Sequence, residues 1–188
     1  MKAGAIILVV LILAALIFGG QLMSGRNTLV TERNQIDAKW AQVDNDLKRR
    51  ADLIPNLVET VKGYAKQEQT VIAEVANARA ALLGARTRED EIQANTQLTG
   101  ALGRLLVLQE NYPQLKSNEN FLRLQDELAG TENRIAVSRR DYNEAIRQYN
   151  TDVELFPRNI AASLFGFKRD DAYFRTTEEE KKAPSVKF

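Results

Sequence analysis

Glu132, Arg139, Asn143 and Asn150 recur at spacings of seven, four and seven within a stretch whose apolar residues repeat every three or four positions. Such spacing sets them on one face of a helix, beside its apolar seam. An acid, a guanidinium and amides in that position have two uses. They form an ion-pair network that fixes which helix faces meet, or they bind or transform a ligand. The network expected here comprises Arg50, Asp52, Asn56, Glu68, Glu110, Glu132, Arg139 and Asn143, with Arg79 as a further charge on the second helix. If Glu132 neutralises a buried arginine, Glu132→Ala should cost about 3–5 kcal/mol.

The rival chemistry is a carboxylate-dependent hydrolase or a metal-binding enzyme, with Glu68, Glu110 and Glu132 converging on a hard cation that needs only oxygen ligands. The neighbouring arginines favour ion pairing, because a guanidinium competes with a metal for the same carboxylates. The chain has no histidine and no cysteine, which removes the commonest general base, the commonest transition-metal ligand and any thiolate nucleophile. There is no Ser-x-x-Lys element. No catalytic, cofactor-binding or metal residue is therefore assigned, and no enzymatic activity or cofactor is expected.

Those side chains need a helix to carry them. Phe121, Leu124, Leu128, Thr131, Ile135, Ser138, Tyr142, Ala145, Tyr149 and Val153 form a continuous stripe, with no glycine between Gly130 and Pro157. The stripe predicts a helix of roughly 50–60 Å. A helix of that length requires neighbours. Leu29, Ile36, Trp40, Val43 and Leu47 mark a first, and a turn is expected at Ile54-Pro55, because proline disfavours helical geometry in the residue before it. Leu57, Val61, Tyr64, Val71, Val75, Ala78 and Leu82 mark a second, ended by Gly84. Ile92, Leu98, Leu102, Leu105, Leu106 and Leu108 mark a third, closed by Tyr112-Pro113. Short connections between four such helices predict an all-α fold, an antiparallel four-helix bundle with one long C-terminal helix.

Ahead of the bundle, Ala3 to Gly20 is an uncharged apolar run extended by Gln21-Leu22-Met23, long enough to cross a bilayer as a helix. Small residues for signal-peptide cleavage are poorly placed after it, so an uncleaved anchor is expected. Ser24-Gly25-Arg26-Asn27 leads almost directly into the first bundle helix, with at most a bend near Gly25. The expected organisation is an anchor over 1–25, a bundle over 26–167 and a mobile charged tail over 168–188. A net charge of +1, from 26 basic and 25 acidic residues, leaves no electrostatic footprint for nucleic acid. The expected partners are the lipid bilayer through residues 3–23, further copies of the chain in a homo-oligomer, and a membrane protein.

Three strings carry a resemblance: LKRRADLIPNLVETVKGYAKQE from Leu47, LTGALGRLLVLQENYPQLKSNENF from Leu98, and ELAGTENRIAVSRRDYNEAIRQYN from Glu127, with LFPRNIAASLFGF following. Together they resemble the LemA family of bacterial membrane-anchored proteins over Arg26 to Phe167. The resemblance implies a bacterial source, an N-terminal transmembrane helix before an antiparallel bundle, and kinship with magnetosome membrane proteins, and it brings no established enzymatic activity. Matching motif residues are Arg50, Asp52, Leu53, Pro55, Asn56, Glu110, Tyr112, Pro113, Glu132, Asn133, Arg139, Tyr142 and Asn143. Some members begin with a lipidated cysteine, which this chain lacks. The expected location is the bacterial inner membrane, single-pass, with the bundle facing the periplasm or exterior.

Overall fold

A computed structural model describes residues 2–175, apart from the side chains of Lys2 and Ala5. The expected tail beyond Arg175, including Glu178 to Lys182 and Pro184, lies outside the described residues. The elements are α1 (Lys2–Tyr64), α2 (Gln69–Gly84), α3 (Arg88–Val107), a 3-10 turn (Leu108–Glu110), α4 (Pro113–Lys116), α5 (Glu119–Glu154) and α6 (Arg158–Phe165). There is no strand among the described residues. The chain divides into two units, each taking a segment of α1 and of α5. One comprises the chain up to Trp40 with Asp141–Tyr173, and the other Ala41–Arg140 with the chain from Phe174.

The uncharged apolar run and the helix that follows it are one element. α1 runs unbroken for 63 residues through both Gly25 and Pro55. The turn expected at Ile54-Pro55 is not there, and the reason lies in the burial pattern. Val43, Leu47, Arg50, Ile54, Leu57 and Val61 are all buried, an alternation of four and three that continues straight past the proline. Pro55 itself faces out. Its missing N–H leaves the carbonyl of Ala51 without its helical donor, and Arg79 Nε of α2 donates to that carbonyl at 2.8 Å. The chain turns instead at Ala65–Glu68, just past Gly63. Tyr64 therefore ends α1 exposed rather than joining the seam of a second helix. Asn118 Nδ2 donates to its hydroxyl at 2.9 Å.

α2 and α3 pack on each other through Ile72, Val75, Ala78 and Leu82 on one side and Leu98, Ala101, Leu102 and Leu105 on the other. Thr87 starts α3 by accepting from Asp90 N at 3.1 Å, and Glu89, Asp90 and Glu91 occupy the first turn, where carboxylates suit the helix dipole. The expected 114–118 loop contains the short α4, with Pro113 in its first turn.

α5 spans 36 residues, matching the stripe that predicts it. Phe121, Leu124, Leu128, Thr131, Ile135, Ser138, Tyr142 and Tyr149 are buried as expected, but the seam then steps sideways. Ile146 and Asn150 are buried in place of Ala145 and Val153.

In the first unit, the Trp40 and Tyr142 rings meet at 5.0 Å between centroids. The backbone following α6 is held there by side chains of α5. Tyr149 donates from its hydroxyl to the Lys168 carbonyl at 2.9 Å, and Asn150 donates to the Asp170 carbonyl at 2.7 Å and accepts from Asp170 N at 2.9 Å. Residues 168–173, expected to be mobile, are thus a strap fastened by Asn150. In the second unit Phe174 is buried, with the Arg139 guanidinium 4.8 Å from its ring.

Candidate functional site

Arg50 occupies a position where the α1 stripe calls for an apolar residue, and it is 5% exposed. Its Nη1 donates to Asn95 Oδ1 at 3.1 Å and to Thr99 Oγ1 at 3.0 Å, both on α3. The same nitrogen lies 3.0 Å from Glu132 Oε2 on α5. Two hydrogens cannot serve three acceptors, so Glu132 Oε2 is an ionic neighbour with no hydrogen bond of its own. Burial pushes the Arg50 pKa down; Glu132 opposes that shift and the Arg139 charge adds to it. One cation thereby ties α1 to α3 and α5.

Of the expected network, Arg50 and Glu132 meet, and Arg139 is close enough for its charge to be felt at Arg50. The remaining members go elsewhere. Asp52 and Asn56 are exposed. Glu68 accepts from the Tyr112 hydroxyl at 3.1 Å, Glu110 pairs with Lys116 at 3.0 Å on the surface, and Asn143 belongs to the first unit. Glu68, Glu110 and Glu132 thus each take a different partner. Among the described residues no group of three or more carboxylates is arranged to hold a metal ion.

Asn95 and Thr99 are the network members that the sequence reading missed. The signal was present, since stepping back three residues from Leu98 on the α3 seam lands on Asn95. A second buried polar contact joins α1 to α5, where Ser138 Oγ donates to Asp46 Oδ2 at 2.9 Å.

These contacts revise the expected cost of losing Glu132. The Glu132 side chain is 43% exposed, and without it Arg50 keeps Asn95 and Thr99. Glu132→Ala should therefore destabilise by about 1–2 kcal/mol rather than 3–5. Denaturant melts beside the exposed control Asp126→Ala check this, and a loss no larger than the control's would remove Glu132 from the network.

The first unit holds a different cluster. Glu32 of α1 lies against Asp152 of α5, and Asp152 is also paired with Arg158 of α6. Burial, followed by the hydrogen bond and charge of Asp152, pushes Glu32 up to about 7. Burial alone would raise Asp152 too, but hydrogen bonds from Glu32 and Arg158 outweigh it and hold that carboxyl low. The two carboxyls thus titrate as a pair, with Glu32 the member held high and Asp152 the member held low. A folded-state pKa raised from 4.5 to about 7 means that the folded chain holds a proton which the unfolded chain releases. Stability should fall as pH rises through that window, by about 1–2 kcal/mol once solvent screening is allowed for. Glu32→Gln should flatten the change, and thermal melts across the window would read it; an equal slope in both proteins would dismiss the pair.

A model of the LemA family matches residues 39–188. The magnetosome protein MamQ 2 of Paramagnetospirillum magneticum is 27% identical over 195 residues, covering 90% of this chain and 71% of that protein. MamQ of Magnetospirillum gryphiswaldense is 24% identical over 87% of this chain and 70% of its own length. Protein LemA of Metamycoplasma hominis is 22% identical over 83% and 71%. Neither the family's description nor these names denotes an enzyme. With the matched span running from within α1 through the arginine-centred contacts and α6, the chain belongs to the LemA family.

Proposed function

We propose that this chain is a non-enzymatic, membrane-anchored helical scaffold of the bacterial cell envelope, which self-assembles or holds a membrane protein partner. The observation that carries the reading is α1. Its large apolar side chains from Ile6 to Phe18 are exposed to more than half of their surface, and the same unbroken helix enters the arginine-linked core. A helix bare over that length suits a bilayer. The residue pairs support an antiparallel bundle within the second unit. As α1 advances through Asp46, Arg50 and Tyr64, its partners descend through Ser138, Glu132 and Asn118.

The absence of a linker after the apolar run has a functional consequence. A domain tethered without a linker is confined to a thin layer above the membrane, where neighbours are concentrated and weak lateral contacts suffice for assembly. Exposed Arg123, Asp126, Arg140 and Glu144 along α5 supply mixed charge for such contacts without an aggregating apolar patch. The bundle is placed outside the cytoplasm, because Lys2 before a leucine-rich run has the character of an uncleaved secretion signal. The full chain should resist alkaline carbonate extraction and form a defined oligomer in lipid nanodiscs, whereas the fragment 26–188 should be largely monomeric at micromolar concentration. Mass photometry of the two decides, and a monodisperse full-length monomer in nanodiscs would replace self-assembly by single-copy attachment to another membrane protein.

A further inference from the structure

The first unit exposes an apolar collar where α1 leaves its uncharged run. Leu155 and Phe156 turn the corner between α5 and α6, and Ile160 and Leu164 continue from Phe156 at intervals of four along α6. Phe156 is 77% exposed and Leu164 is 65% exposed. The opposite face of α6 is buried through Ala161 and Ala162, and it sits so close to α1 that a Cβ on Gly25 would lie 3.1 Å from the Ala161 Cβ. Glycine at position 25 is thus what lets α6 seat against α1. Gly166, in the left-handed conformation at φ 75°, then ends α6.

This contact fixes the height of the collar. A groove of about 600 Å³ is walled by Phe18, Leu22 and Gly25 on α1 and by Phe156 and Ile160 on the other side. Phe18 precedes Met23, the end of the uncharged run, by five residues, or about 8 Å of helix. The collar's apolar side chains therefore overlap the last turns of the anchor. An amphipathic helix lying in a membrane interface buries its apolar face to a depth of about 5–10 Å. Arg26, at the polar edge, holds its guanidinium 5.7 Å from the Phe165 ring, as an interfacial arginine does when its charge reaches for headgroups and its stem covers apolar surface.

We propose that α6, with the Leu155-Phe156 corner, is a second membrane contact. It dips into the headgroup and upper acyl region of the leaflet from which α1 emerges, and it seats the first unit on the bilayer. The occupant is lipid because the apolar strip is continuous with the anchor's own lipid-facing surface through the shared groove. The proposal rests on the membrane-anchored reading above, and its test separates the two.

The chain has no native cysteine, so single-cysteine variants of the full-length protein can carry an environment-sensitive fluorophore in phosphatidylcholine vesicles brominated at shallow or deep acyl positions. The label at Phe156→Cys or Leu164→Cys should shift to the blue and lose emission to shallow bromines. At Ile12→Cys it should lose emission to deep bromines. At Val137→Cys, an exposed apolar position on α5, it should keep the emission of a probe in water. Quenching at Ile12 with water-like emission at 156 and 164 overturns the collar and leaves the anchor standing. Blue-shifted but unquenched emission at 156 and 164 also overturns it, assigning the strip to a second copy or another protein. Absence of quenching at Ile12 overturns the anchor and the collar with it.

Discussion

Arg50→Ala should lower the unfolding free energy by about 3–5 kcal/mol, because it strands the amide oxygen of Asn95 and the buried oxygen of Glu132 and leaves a cavity in the core. Two companion variants separate the loss of the cation's contacts from the loss of bulk. Since all three partners meet at Nη1, no forked geometry is used, and a lysine ammonium with three hydrogens suits three acceptors. Arg50→Lys should therefore recover a substantial part of the loss, unlike a lysine replacing a bidentate arginine. Arg50→Leu combined with Asn95→Leu and Glu132→Met should also recover stability, since replacing buried polar partners together by apolar groups is often neutral. Denaturant melts followed by circular dichroism read all three. If Arg50→Ala behaved like an exposed surface variant, the cation would not be what ties α1 to α3 and α5.

Whether an element was legible in the sequence depended on whether its signal was periodic or local. The seam of α5 is periodic over more than thirty residues, and it predicts the helix almost to its ends. Its sideways step after Tyr142 was hidden, because Ala145 and Ile146 both satisfy an apolar pattern and only packing chooses between them. At Pro55 the local rule and the periodic one conflicted. The Val43-Leu47-Arg50-Ile54-Leu57-Val61 alternation was visible, but Arg50 reads as a break in an apolar stripe unless its partners on α3 are known. Burial of a charge is a tertiary outcome, and composition does not announce it. The same holds for Glu32 and Asp152, which lie 120 residues apart and belong to no short motif. Glu110, by contrast, was legible as a polar residue at a helix end, whereas Glu68 read as a charge on the seam of a second helix because the turn at Ala65–Glu68 was hidden; neither partner was legible, because Tyr112 and Lys116 reach them only through the turn and α4.

Pro55 and Arg79 form a coupled pair that a double-mutant cycle can measure. In the natural chain, Arg79→Met should cost about 1–3 kcal/mol, because it removes the donor to the Ala51 carbonyl, a group on a residue with no exposed surface. Pro55→Ala restores the backbone N–H that would otherwise serve that carbonyl and removes the clash of the proline ring with the preceding turn. Against this stands the larger conformational freedom that alanine gives the unfolded chain, worth about 0.4–1 kcal/mol. A proline in a helix interior costs about 3 kcal/mol relative to alanine, so Pro55→Ala should stabilise by about 1–2 kcal/mol. Once the carbonyl has its helical donor, Arg79 loses its role there, and Arg79→Met in the Pro55→Ala background should cost less than about 0.5 kcal/mol. The interaction energy read from the four melts should then exceed the scatter expected of independent sites, about 0.3–0.5 kcal/mol. Additive effects would mean that Arg79 does not stand in for the missing N–H and that α1 tolerates Pro55 by some other means, whereas coupling of the expected sign would show that α2 holds α1 straight through its proline.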